Sequence, residues 1–213
     1  MGLSDSLDAL VARLAFDLDP EARRRLLAWI QAAEAWNAKL DLTAARSPAG
    51  LVEILVLDVL EVSALIPLGA TVLDVGTGAG APGLGLALLR PDLRVACVEP
   101  LAKRVAFLRT VVGASGVQGR VAVSGARIDP AAPALPSELE RFAPGYDLAV
   151  SRATFSPPVW AAVGLQLAPE AVLMLVDETP ALPPAARPVA DRRYEVPSSG
   201  APRRLVKLTR SAA

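Results

Sequence analysis

Histidine is missing from the 213-residue chain, and cysteine occurs once, at Cys97. Zinc sites of imidazole and thiolate, serine–histidine–acid triads and cysteine–histidine pairs all need residues the chain does not have. Any catalysis therefore runs without imidazole, and no metal is expected. A lone cysteine inside an apolar stretch reads as a small core residue and gives no disulfide framework, so a cytoplasmic location is expected. Net charge is also missing, with 22 basic against 22 acidic residues. A nucleic-acid partner would have to be held by a local basic patch. No apolar run reaches membrane length, because Glu53, Asp58 and Glu61 break one candidate and Pro169 with Glu170 breaks the other. The first six residues carry an early acid and lack the basic-then-apolar order of a secretory signal. What the chain has is apolar content, 53%, enough for one α/β domain with a modest appendage.

The most informative stretch is Ala70-Thr-Val-Leu-Asp-Val-Gly-Thr-Gly-Ala-Gly-Ala-Pro-Gly83. Apolar residues run into an acid, and glycines with a proline then break the pattern, which predicts a strand, a tight loop and a helix start. Pro82 suits the first helical position, and the glycines of such a loop let a ligand approach the backbone. Gly78, Gly80 and Gly83 satisfy the dinucleotide spacing G-x-G-x-x-G, a weak match by itself. Asp74 argues against a pyrophosphate, since a carboxylate at the strand's end repels phosphate. S-adenosylmethionine has no phosphate and carries an ammonium and a sulfonium, so the same acid favours it. Glu99, ending the next strand, is placed to accept ribose hydroxyls and does not choose between the two ligands.

Residues 1–67 are expected to form a helical subdomain and residues 68–213 an α/β core. Ser4 or Asp5 is expected to cap a first helix, Asp19-Pro20 opens a second, and Ser47-Pro48 opens a third that ends at Pro67. Trp29 and Trp36 fall on the apolar stripe of the second helix and are read as core. From Ala70 strands and helices alternate: strand to Val75, helix Pro82–Leu89, strand to Glu99, helix Leu101–Gly113, strand Arg120–Val123, a short helix Ser137–Phe142, strand Tyr146–Arg152, helix Pro157–Leu167 and strand Ala171–Val176. The alternation implies a mostly parallel, Rossmann-like sheet with right-handed crossovers. A proline-rich extended segment, Thr179–Ala190, then leads to an antiparallel pair, Arg192–Val196 with Arg204–Leu208.

These residues resemble the bacterial 16S ribosomal RNA guanine-7 methyltransferases, once described as glucose-inhibited division proteins. The resemblance rests on Leu73–Gly83, Glu99-Pro-Leu-Ala-Lys-Arg-Val-Ala-Phe-Leu108, Ser151-Arg-Ala153, Trp36-Asn37 and Leu42-Thr43. It implies an S-adenosylmethionine-dependent methyltransferase with helices ahead of the sheet. It also implies that Asp74, Gly76, Thr77, Gly78, Gly80, Pro82 and Gly83 form the cofactor loop, with Glu99 on the ribose and Ala126 and Arg127 along the adenine. Arg152 would face the substrate, with Asp58 surviving from the helix motif. Departures gather on the substrate side: Leu55, Val59, Asp41 and Ala81 replace the family's usual histidine, serine, asparagine and phenylalanine. Asp177 stands where lysine is usual, next to Glu178, and would repel an RNA backbone there.

Methyl transfer from a sulfonium is an in-line displacement that mainly needs alignment. Nitrogen 7 of guanine already holds a free lone pair, so the missing histidines are no obstacle. Arg152 could orient guanine or grip a phosphate; its alternative is an ion pair with Asp147 or Asp177. The partner implied is 16S ribosomal RNA or the small ribosomal subunit, met by a monomer. Two alternatives stay open: a diverged methyltransferase with a small-molecule acceptor, and an inert cofactor-binding homologue. A basic surface joining Arg23–Arg25, Arg152, Arg192, Arg193, Arg203 and Arg204 would favour RNA. A small closed pocket lined by Leu55, Val59 and Ala81 would favour a small acceptor.

Overall fold

The computed structural model describes residues 1–211. Three helices come first: α1 (Leu3–Arg13), α2 (Pro20–Leu40) and α3 (Pro48–Ser63). The side chain of Asp19 accepts the N–H groups of Glu21 and Ala22, and Ser47 accepts that of Gly50, so both proline-opened helices start as the sequence suggests. Two boundaries differ. Gly2, not Ser4 or Asp5, caps α1, and Asp5 instead reaches back to the Gly2 N–H at 3.0 Å. Helix α3 stops at Ser63, short of Pro67: Ile66 precedes a proline and cannot easily stay helical, and the N–H groups of Leu65 and Ile66 turn back to Val62 and Ser63.

The seven strands are β1 (Thr71–Val75), β2 (Arg94–Val98), β3 (Val121–Ser124), β4 (Leu148–Ser151), β5 (Glu170–Leu175), β6 (Ala186–Glu195) and β7 (Pro202–Arg210), joined by α4 (Gly83–Leu89), α5 (Ala102–Ala114), α6 (Ser137–Phe142) and α7 (Pro157–Leu167). They form one sheet in the order β3-β2-β1-β4-β5-β7-β6. The first five are parallel, and β7 returns antiparallel to β5. The central strands are apolar on both faces, as strands covered by helices on each side must be. The closing hairpin is longer than expected, because β6 takes in the second half of the segment read as merely extended. Pro188 and a register shift beside it are tolerable there because β6 is the edge strand.

The chain runs outward from β1 to β3, then returns to place β4 on the other side of β1. That reversal opens a crevice at the carboxyl ends of β1 and β4, where ligands of such sheets sit. Successive strand residues feed opposite faces. Val72, Val95, Cys97, Leu148 and Val150 pack with the helices α1 to α5, whereas Leu73, Ala96, Val98, Ala149 and Leu173 pack with α6 and α7. The expected boundary at residue 67 therefore marks where helices give way to sheet, while α1–α3 share their hydrophobic cluster with the sheet's own helices. Trp29, wholly buried, belongs to that cluster.

Candidate active site

The turn after β1 is tied down by backbone bonds. The N–H groups of Gly76 and Thr77 both donate to Val98 O, at 2.8 and 3.1 Å, and Gly80 N–H donates to Thr77 O at 2.8 Å. Gly76 has φ +77°, and a Cβ there would lie 1.9 Å from Thr154 Oγ1, so no other residue fits beside the β4 turn. Helix α2 supports the loop from below: the Trp29 indole N–H donates to Ala79 O at 2.9 Å.

Asp74 is placed beneath this loop rather than facing the crevice. It is fully buried, and its Oδ2 accepts Gly83 N–H at 2.7 Å. A Cβ on Gly83 would come within 2.5 Å of Asp74 Cβ, so the glycine is what lets the acid and the helix start meet. Pro82 caps α4 instead of occupying its first turn, because its carbonyl already accepts the Leu86 N–H. Burial pushes the Asp74 carboxyl up to about 6, against the pull of the Thr77 hydroxyl, the Gly83 N–H and the Arg152 charge. Asp74 Oδ1 and Thr77 Oγ1 are both sealed from solvent, and the Thr77 hydroxyl lies beside the carboxyl.

Above the loop lies a cavity of about 480 Å³ walled by Thr43, Gly76, Thr77, Gly78, Ala81, Glu99, Arg104 and Arg152, among others. Glu99 supplies its acidic wall: Oε2 accepts Gly78 N–H at 3.0 Å and Oε1 accepts Leu101 N–H at 2.9 Å, leaving lone pairs on each oxygen. The Arg104 guanidinium stands 3.8 Å away. Asn37 fixes the opposite lip, accepting Thr43 N–H at 2.8 Å. A side slot of about 340 Å³ continues past Gly76, bounded by Pro100, Ala126, Arg127, Ile128, Asp129 and Phe155. The loop after β3 thus brings Ala126 and Arg127 to the wall of this slot.

On the other side of Arg152 a larger cavity, about 560 Å³, is lined by Ile54, Leu57, Asp58, Phe155, Trp160, Leu175, Tyr194 and Arg203, with Glu53 and Glu178 at its mouth. Arg152, Ala153 and Ile54 belong to the walls of both. The Arg152 guanidinium donates through Nη1 to Ile54 O at 2.7 Å and to Asp58 Oδ2 at 2.9 Å. Its ion-pair partner is therefore Asp58, not Asp147, which accepts Thr71 N–H, nor Asp177, which pairs with Arg193. Asp58 Oδ1 in turn accepts the Tyr194 hydroxyl at 2.6 Å.

Both surface expectations need correcting. Arg23 pairs with Asp8, Arg24 and Arg25 with Glu21, Arg192 with Glu61 and Arg204 with Asp191, so the suggested basic surface is largely self-neutralised. Asp177, neutralised by Arg193, is not the bare anion the sequence suggested. Leu55 and Val59 are sealed in the core and line neither of these two cavities, whereas Ala81 lines the smaller one. Tyr194, Thr154 and Phe155 went unnoticed in the sequence, Tyr194 because nothing local brings β6 to α3.

Comparison with known proteins agrees with this architecture. Residues 22–176 match the family model described as rRNA small subunit methyltransferase G. The ribosomal RNA small subunit methyltransferase G of Anaeromyxobacter sp. (strain Fw109-5) is 37% identical over 164 residues, covering 76% of this chain and 73% of that protein. Its namesake from Chromohalobacter salexigens is 35% identical over 214 residues, covering 96% of each. Among solved structures, TrmN from Thermus thermophilus superimposes with a TM-score of 0.50 at 22% identity, over 76% of this chain and 48% of that one, a likeness of fold. With its glycine loop, its acid after β2 and most of its length matched, the chain belongs to the rRNA small subunit methyltransferase G family.

Proposed function

We propose that the chain transfers a methyl group from S-adenosylmethionine to ring nitrogen 7 of a guanine in 16S ribosomal RNA, acting as a monomer on the small subunit or its RNA in the cytoplasm. Family membership supports the reaction, and one observation carries the site: Arg152 stands in the wall shared by two adjoining cavities, anchored through a single nitrogen.

The smaller cavity and its side slot fit the cofactor. Glu99 has free lone pairs for ribose hydroxyls, the Gly76–Gly78 backbone suits the methionine end, and Ala126, Arg127 and Ile128 bound a slot for adenine. Asp74, Gly80, Pro82 and Gly83 act through the loop, holding its shape. When bound, the cofactor supplies a methyl carbon made electrophilic by its sulfonium.

The larger cavity then takes the acceptor base. With Nη1 committed to Asp58 and Ile54 O, the Nε and Nη2 donors of Arg152 have no partner among the described residues. Guanine offers an acceptor, O6, beside N7, whereas adenine offers a donor there, so a fixed guanidinium favours guanine. Asp58 is held between the Arg152 guanidinium and the Tyr194 hydroxyl, where it orients the arginine and need not act as a general base. None is required, because N7 attacks through a lone pair it already holds; catalysis is alignment. Arg203, without an ion pair among the described residues, borders the same cavity and suits a phosphate.

In a strain lacking this protein, one N7-methylguanine should disappear from 16S RNA and return with the wild-type gene, but not with Arg152→Ala. Full retention of the modification in the deletion strain would overturn the assignment.

A further inference from the structure

Resting on that methyl-transfer reading, we propose that Tyr194 is a positioning residue: its hydroxyl holds Oδ1 of Asp58, which keeps Oδ2 on Nη1 of Arg152 and leaves the remaining guanidinium donors for the acceptor base. The chain of contacts is short and continuous: Tyr194 hydroxyl to Asp58 at 2.6 Å, Asp58 to Arg152 at 2.9 Å, and Arg152 to Ile54 O at 2.7 Å. It joins three distant parts of the chain, β6, α3 and the end of β4. The strand β6 is an edge strand with mostly exposed side chains, yet Tyr194 turns inward against the main hydrophobic cluster and borders the acceptor cavity. Burial, followed by the neighbouring Asp58 carboxylate, pushes the phenol far above its usual range, so the hydroxyl stays a donor.

Attachment of the hairpin does not depend on this bond. Arg192 pairs with Glu61, and Ser198 donates through its N–H and its Oγ to Glu53 at 2.9 and 2.6 Å, fastening the same hairpin to the same helix. Removing the Tyr194 oxygen should therefore free the Asp58 carboxylate to turn, and with it Arg152, while the hairpin stays in place.

Tyr194→Phe keeps the ring and its packing. On small ribosomal subunits it should lower kcat about tenfold with the KM for S-adenosylmethionine unchanged, whereas Ser198→Ala, which weakens the other fastening, should stay within about twofold of wild type. In an Asp58→Asn background the tyrosine substitution should add nothing further, because its effect passes through Asp58. A Tyr194→Phe enzyme with wild-type kcat, an equal loss in Ser198→Ala, or losses that multiply in the double variant would overturn the proposal. If wild type itself methylates no RNA, the functional reading fails separately, and the crystal structure of Tyr194→Phe decides this one: Arg152 displaced from Asp58 supports it, and an unmoved pair contradicts it.

Discussion

The two cavities on either side of Arg152 are built in different ways. The side proposed for the cofactor is made mostly of backbone: a glycine turn bonded to Val98 O, a buried acid under Gly83 and a second acid held by two N–H groups, nearly all from residues 74–101. The acceptor side is made of side chains drawn from α3, the β4 turn and β6, joined by the Tyr194–Asp58–Arg152 chain. A backbone cradle tolerates changes around it, whereas a relay of three side chains fails when any one is lost. Substitutions on the two sides should therefore separate cleanly in kinetics.

The largest effect is expected at Glu99. Glu99→Ala removes a charged acceptor from two N–H groups and, on the proposed reading, from the ribose, each such bond being worth about 1.5–3 kcal/mol. Calorimetry with S-adenosylhomocysteine should show affinity about 100-fold lower or worse; unchanged affinity would remove Glu99 from the cofactor site. Next comes Arg152→Ala, expected to lower kcat/KM for RNA about 10- to 100-fold, in line with about 1–3 kcal/mol for a good base contact, while S-adenosylhomocysteine affinity changes by no more than about threefold. Equal losses in both measurements would erase the distinction between the two sides. Trp29→Phe sharpens it from below, leaving Ala79 O buried without its donor at a cost of about 1–3 kcal/mol. Thermal unfolding should register that loss, and cofactor affinity should fall with it, since the donor supports the loop.

The most diagnostic effect, read as a change with pH, concerns Asp74. Its folded carboxyl, at about 6 against an ordinary 3.8, holds its proton more tightly than the unfolded chain does. Its favourable contribution is therefore full below about pH 4 and lost as pH rises through 6, amounting to about 3 kcal/mol at 1.36 kcal/mol per pH unit. Asp74→Asn cannot titrate and keeps an oxygen for Gly83 N–H. Denaturant unfolding should show its stability gaining on wild type between pH 4 and 7, and a constant difference would place Asp74 in a more solvated setting than the structure gives it.

The strand, glycine turn and helix start of the first half are legible because their residues are contiguous and announce themselves at fixed spacing, and the alternation of strands with helices shows in the same way. Even there the sequence could not tell that Asp74 faces inward, since burial depends on α4 folding back over it. The acceptor half was only half legible. Arg152 and Asp58 could be named, but their partnership, and Tyr194 altogether, depend on the edge hairpin swinging back to α3, a contact between residues 136 positions apart. Leu55 and Val59 looked like altered substrate contacts and proved to be packing, because helical spacing alone does not distinguish a face toward a cavity from one toward a core.

The most direct measurement takes purified chain, small ribosomal subunits from a strain lacking it, and methyl-labelled S-adenosylmethionine, and maps the label in the RNA. One labelled guanine, methylated at N7 and absent with Arg152→Ala, is the expected result. Tight binding of S-adenosylhomocysteine with no label in 16S RNA would contradict it.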